Sequence, residues 1–326
     1  MPLEPSGWIA SHTLGTSFLL TMGAHMTVAC PFCQHTSSLL FRTKDFNRRL
    51  SRESFLYYRC RSCGLIFLSP IPSNLGHYYP PDYYPIPSSL AELEPVVEAQ
   101  RYKLEAVQRF VTGGRLLEIG PSYGDFAHVA KQAGFEVDTI EMDERCCRFL
   151  RDVVGVRAIH SDDPTATLAT SKMVSAKSYD VIALWQVIEH LSDPLGTLKA
   201  AAARLAPSGI LIVAAPNPSA FQFRILRRYW PHVDAPRHLV LIPVPLLIRH
   251  AQQLGLKAVF TTTADKGTLL ANVFGWERSL SNFFTRPRLI ARASSVGRRI
   301  ARLTSPIETR GLRGSTYTII FQNIQP

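Results

Sequence analysis

Along the chain, short segments rich in apolar and β-branched residues alternate with longer stretches of helical periodicity. The segments are Leu116–Ile119, Phe135–Ile140, Val156–His160, Tyr179–Leu184, Gly209–Ala215, Ala258–Thr263 and Thr316–Gln322. Each has the length of a strand and is rich in apolar and β-branched residues, and Gly209–Ala215, apolar throughout, suits a strand covered on both faces. Helices are expected over Glu92–Phe110, where Leu93, Val96, Val97, Leu104 and Val107 share a face, and from the turn after Ile119 through Lys131. Two more are expected over Asp143–Val154 and up to Ala203. Gly113-Gly114 and Gly134 stop two of these helices. Strand and helix in strict alternation predict an α/β, doubly wound, Rossmann-like sheet.

Such a sheet binds its ligand outside the carboxyl ends of its strands. The first strand ends Leu117-Glu118-Ile119 and breaks into Gly120-Pro-Ser-Tyr-Gly124, a turn that feeds a helix. The second ends at Glu141, 21 positions after Gly120, where a carboxylate can accept hydrogen bonds from both ribose hydroxyls of a nucleoside. A dinucleotide turn would carry three glycines as G-x-G-x-x-G, so that backbone can approach a pyrophosphate. Gly120–Gly124 lacks that pattern, and Glu118 would set a negative charge beside phosphates. A nucleoside bearing a sulfonium and an ammonium group is the better electrostatic match.

Ahead of this region stand Cys30-Pro-Phe-Cys33 and Cys60-Arg-Ser-Cys63, two C-x2-C knuckles separated by 26 residues. Four thiolates satisfy a tetrahedral Zn²⁺ and leave no open position, so Cys30, Cys33, Cys60 and Cys63 predict a structural zinc site. Strand-like segments at Leu39–Arg42 and Ser54–Arg59 lie between the knuckles. The expected organisation is an extension over 1–26, with Met22 or Met26 as a plausible start, and a zinc-ribbon-like module over 27–70. A Pro/Tyr-rich linker over 71–90 then leads to the main domain over 91–326. The linker's tyrosines are expected to pack it against that domain rather than to line a substrate mouth. No apolar run is long enough to span a membrane and no signal peptide is evident, so a cytoplasmic protein is expected. Cysteine used in metal-type pairs fits a reducing compartment.

At this point the residues resemble the class I S-adenosylmethionine-dependent methyltransferases. Leu116-Leu-Glu-Ile-Gly-Pro-Ser-Tyr-Gly124 is similar to their first motif, with Ser122 in place of the usual middle glycine. Tyr179–Pro194 resembles the fourth-strand motif, Leu205–Val213 the approach to the fifth strand. The cysteine module and Tyr-Pro tract resemble bacterial members with an N-terminal zinc-ribbon, some of which methylate nucleotide-linked deoxysugars. The resemblance implies a seven-stranded sheet with its last strand antiparallel. It implies S-adenosylmethionine as cofactor, with Glu118, Gly120, Ser122 and Gly124 around the methionine end and Glu141 and Met142 at the ribose. Asp162 or Asp163 would meet the adenine amino group, unless they merely form an Asx turn before Pro164, and Gln186 would close the fourth-strand side. In ubiquinone-pathway O-methyltransferases the fourth-strand motif carries Glu-x-x-Glu-His with a metal-linked role. Here it reads Gln186-Val-Ile-Glu189-His190, lacking the first carboxylate.

Methyl transfer to a hydroxyl calls for a base beside the acceptor. His190, just past the fourth strand, and His238, in the loop Asp234–Leu239, are the candidates, with His238 preferred. Net charge is +11, yet 17 Lys/Arg face only 4 Asp/Glu from Arg204 onward, an excess of +13 that leaves residues 1–203 at −2. A basic C-terminal third suits an anionic acceptor, such as a nucleotide- or lipid-linked glycan precursor, or an anionic membrane surface. Nucleic acid is the alternative partner. Against it, the fourth strand lacks the Asp/Asn-Pro-Pro-aromatic clamp of enzymes that hold a flipped base. An insertion over about 269–314 holds Arg286–Arg302, with six arginines and no acid. Leu289, Val296, Ile300 and Leu303 fall near one face of this helix. That stripe either packs on the domain or meets anionic lipid.

Overall fold

The computed structural model describes residues 27–175 and 178–325; the extension expected over 1–26 lies outside them. The chain opens with β1 (Thr27–Ala29), β2 (Thr36–Thr43), β3 (Phe55–Cys60) and β4 (Ile66–Leu68). Then come α1 (Leu90–Gln108), β5 (Gly114–Ile119), α2 (Asp125–Gln132), β6 (Phe135–Glu141), α3 (Glu144–Phe149) and β7 (Arg157–His160). The middle holds α4 (Pro164–Thr170), α5 (Lys172–Ser175), β8 (Tyr179–Trp185), α6 (Pro194–Ala202), β9 (Leu205–Pro216) and α7 (Phe221–Leu226). Last are β10 (Val240–Leu241), α8 (Val244–Gln253), β11 (Leu256–Thr262), α9 (Lys266–Ser281), α10 (Pro287–Glu308) and β12 (Thr316–Asn323).

Seven strands form the main sheet in the order β11-β12-β9-β8-β5-β6-β7. β5 through β9 pair in parallel, while β12 runs antiparallel to both β9 and β11. The chain winds outward from β5 to β6 and β7, then returns to β8 on the other side of β5. The turns after β5 and β8 therefore diverge to opposite faces, and a crevice opens between them.

Strand pleating divides the core into two layers. Leu117, Ile119, Ile182, Leu184, Leu211 and Val213 point to one face, and Leu116, Val181, Ala183, Ile210 and Ile212 to the other. The second layer is sealed by Leu93, Val97 and Val107 of α1 and Phe126 of α2. The first is continuous with Tyr57, Ile66 and Phe67 of the N-terminal strands. Those strands make a smaller sheet, β1-β2-β3-β4-β10, whose last member belongs to the main domain. Leu68 N–H also donates to Leu239 O at 2.8 Å. The division expected at residue 70 is thus bridged by a shared sheet and a shared core. Neither β4, β10 nor α8 was signalled by the sequence pattern.

Candidate active site

A cavity of about 370 Å³ opens at the carboxyl ends of β5, β6, β7 and β8. Gly120, Glu141, Met142, Asp162, Asp163, Gln186 and His190 all line it, together with Tyr79 and Tyr84 from the Pro/Tyr tract. The Gly-rich turn makes the floor. Gly120 has φ +68°, and a Cβ there would stand 2.6 Å from Val187 Cγ2, so a side chain would collide with the loop after β8. Ser122 also holds a left-handed φ, 54°, which explains why glycine is usual at that position. Its N–H donates to Glu141 Oε2 at 2.8 Å, and Asp143 N–H donates to Oε1 at 2.9 Å. The Glu141 carboxylate is so fixed across the crevice, with further lone pairs available to a ligand's hydroxyls.

Glu118, Ser122 and Gly124 do not line this cavity. Gly124 caps α2 from a left-handed conformation, and a Cβ on it would strike Leu150. Glu118 is buried beneath the turn, and its Oε2 has no hydrogen-bond partner. Burial pushes its pKa up to about 8; Lys103 opposes this, while Asp125 and Glu141 add to it. A buried carboxyl with one oxygen left unpartnered under a Gly-rich turn fits a cationic ligand above it. Of the two aspartates after β7, Asp163 caps α4 by accepting from Ala166 N–H at 2.9 Å. Asp162 carries no such duty and is the one free to meet an amino group.

Gln186 also lines a second cavity, of about 410 Å³, with Trp185, Ala214, Thr316 and Phe274. One of its walls comes from α1, whose Lys103 ammonium lies 5.3 Å from the Trp185 ring centroid and 3.9 Å from Asp125 Oδ1. Sequence reading missed Lys103. Nothing around it in the chain marks it, and only the packing of α1 on α2 delivers it to the crevice.

His190 faces the first cavity, and His238 stands behind it with ring centroids 4.6 Å apart. The order of preference from sequence is therefore reversed by geometry: His238 is 9% exposed and does not line the cavity. His238 Nδ1 lies 2.8 Å from His232 O, and His190 Nδ1 lies 3.1 Å from Arg237 O. A carbonyl only accepts, so each Nδ1 carries the proton and each Nε2 keeps its lone pair. Burial lowers both pKa values, His238 to about 3, which keeps both rings neutral. Tyr79 from the linker places its hydroxyl 3.0 Å from His190 Nδ1. The tract expected only to pack against the domain thus also walls the cavity. Glu189, with its pKa pushed up to about 8 by burial, has neither carboxyl oxygen hydrogen-bonded. Its Oε1 is 4.0 Å from His238 Nε2. With the imidazole neutral and the carboxyl protonated, this is a contact between neutral groups rather than an ion pair.

The histidine loop is held by the N-terminal strands. Asp45, after β2, accepts from Arg237 Nη2 at 2.7 Å and from the backbone of Arg48 and Leu50. Arg237 also binds Asp234, at 2.7 and 2.8 Å, and both Asp45 and Arg237 side chains are wholly buried. Tyr57 of β3 donates its hydroxyl to His238 O at 2.7 Å. At the far end of the same strands the four knuckle sulfurs converge, with all four Sγ atoms within 4.8 Å of one another. Cys30–Cys63 and Cys33–Cys60 sulfurs are 3.7 and 3.4 Å apart, and no disulfide joins them. Tetrahedral coordination at a Zn–S length of about 2.3 Å requires sulfurs roughly 3.8 Å apart. The donor set and spacing fit that ion.

A family model described as a methyltransferase domain matches residues 96–260. The ubiquinone biosynthesis O-methyltransferase of Bordetella avium (strain 197N) is 28% identical over 144 residues, 42% of this chain and 58% of that protein. The one from Caulobacter sp. (strain K31) is 30% identical over 105 residues, 32% of this chain and 42% of that protein. The chain therefore spans less than two thirds of the length of these relatives. Among solved structures, a SAM-dependent methyltransferase from Archaeoglobus fulgidus aligns over 71% of this chain and 94% of its own, with 20% identity and a TM-score of 0.48.

Proposed function

The chain belongs to the methyltransferase-domain family, and from that premise we propose that it transfers a methyl group from S-adenosylmethionine to a hydroxyl of a small-molecule acceptor. The observation that carries this reading is the anchored Glu141 carboxylate facing a cavity that also holds Asp162 and Gln186. Glu141 would accept from the ribose and Asp162 from the adenine amino group. Glu118, whose Oε2 has no partner, would sit beneath the positive end of the ligand. Lys103 is placed to receive the ligand's carboxylate, since it lines the neighbouring cavity that Gln186 shares. The bound cofactor supplies a sulfonium that is already a strong leaving group, so the protein mostly aligns the acceptor with the methyl carbon. His190, which lines the first cavity, would take the hydroxyl proton of the acceptor as its oxygen receives the methyl group.

The acceptor side in this reading is the part of the first cavity walled by Tyr79 and His190, where the base stands. The similarity to ubiquinone biosynthesis O-methyltransferases favours a hydroxyl acceptor, and the basic C-terminal third favours an anionic one, including glycan precursors. The four cysteines hold a structural Zn²⁺, supported by their donor chemistry and spacing.

The test is calorimetric binding of S-adenosylmethionine and S-adenosylhomocysteine to the full chain. Labelled-methyl transfer to quinone precursors, nucleotide sugars and lipid-linked glycans follows, with nucleic acid as comparison. Glu141→Ala and Lys103→Met should each weaken cofactor binding, the former by about tenfold to a hundredfold through loss of hydrogen bonds to a charged acceptor. A Kd above about 1 mM for both ligands, or an unchanged Kd in Glu141→Ala, would sink the reading.

A further inference from the structure

Helix α10 has two apolar stripes, and the fold buries the one made of small residues. Ala293, Gly297 and Ala301, four apart, face α9. A Cβ on Gly297 would stand 2.6 Å from Glu277 Cα, so the two backbones are in contact there. The large residues are turned about a quarter-turn away. Leu289, Val296, Leu303 and Ile307 are 37, 48, 80 and 40% exposed. Steps of seven keep the first three on one line, since the drift is only ~20° per heptad. Of the two readings left open by the sequence, a stripe packed on the domain does not hold, since this line faces solvent.

That line is bordered by cations. At 100° per residue, Arg292, Arg299 and Arg288 fall beside it on the side away from α9. Arg298 reaches back to Glu277 on α9. Among the described residues, Arg288, Arg292, Arg299 and Arg302 make no ion pair. At the tip of the hairpin Phe283 and Phe284 are exposed next to Arg286. From residue 282 to 314 there are eight arginines and one acid, Glu308, which is buried against Trp276 and Gln222.

We propose that the α9–α10 hairpin docks peripherally on an anionic lipid surface. The Leu289–Val296–Leu303 line and the tip phenylalanines enter the acyl boundary while the flanking arginines meet headgroup phosphates. A helix of 22 residues lying flat gives a contact roughly 33 Å long. No helix among the described residues is long and apolar enough to cross a membrane, which suits a surface contact. A second copy is the weaker occupant, because a two-fold contact along this stripe would oppose arginine to arginine. Nucleic acid would satisfy the cations but leave the leucine line in water.

The test is co-sedimentation of the full chain with neutral phosphatidylcholine vesicles and with vesicles containing one third phosphatidylglycerol, at low and high salt. Binding should need the anionic lipid and weaken with salt. The double variant Val296→Ser/Leu303→Ser should lower partitioning by about tenfold or more. Arg292→Glu/Arg299→Glu should abolish the preference for anionic vesicles. Both pairs are exposed, so unchanged circular dichroism and melting temperature will verify folding. Failure to bind anionic vesicles, equal binding to neutral ones, or binding untouched by either variant overturns the proposal. So does a dimer in light scattering that Leu303→Ser dissolves.

Discussion

Glu118 and Glu189 are two buried carboxyls with unpaired oxygens, both shifted by burial to a pKa of about 8. Each holds its proton in the folded chain and releases it near 4.5 when unfolded. Their contribution to stability is therefore complete below about pH 4.5 and is lost as pH rises toward 8. Below about pH 6.5 the buried neutral histidines His190, His232 and His238 pull the other way, so the fall is read above them: the ligand-free protein should show a urea midpoint that falls from pH 7 to pH 8, and Glu189→Gln should lessen that fall. A midpoint rising across this window would contradict the assigned protonation. Glu118 was legible in the sequence as part of a motif. That it lies under the turn rather than in the cavity depends on the strand's pleat, which points alternate residues to opposite faces.

At the level of elements, the turn after β5 and the acid after β6 were readable because each depends on local chemistry. Glycine at 120 answers a left-handed backbone, and Glu141 ends the second strand of the main sheet. In the α9–α10 hairpin the sequence left open whether leucine and valine face inward or outward. Contact between helix backbones admits only small residues, so Ala293, Gly297 and Ala301 take the inner face. Gly297→Ala should therefore destabilise by about 1–3 kcal/mol, by forcing the helices apart. Thermal melting will check it, and a neutral or stabilising result would mean the helices give way easily. The same hairpin lines the second cavity through Leu270 and Phe274, so its position bears on that wall too.

Across the whole molecule, the cysteine module is part of the scaffold of the candidate site. β10 completes its sheet, and Asp45 holds Arg237, whose carbonyl accepts from His190. Asp45→Ala would leave the buried guanidinium with Asp234 alone and should cost about 3–5 kcal/mol in urea unfolding. Treatment with a strong chelator should release about one equivalent of zinc. It should also depress methyl transfer more than cofactor binding, because Glu141 sits on β6, away from the module. Retained activity after complete metal removal would separate the module from the site.

The sequence by itself determined the alternating sheet, the Gly-rich turn, the acid after the second strand and the paired cysteines. All of these are dictated by backbone geometry or ligand chemistry within a few residues. It could not determine what long-range packing decides: β10 joining the N-terminal sheet, Lys103 arriving from α1, Tyr79 over His190, or His190 in front of His238. Those side chains are brought together by contacts between segments up to about two hundred residues apart, and no local pattern encodes which faces which. The exposed leucine line of α10 belongs to the same class. Its residues and spacing are in the sequence, but only tertiary packing left it facing outward.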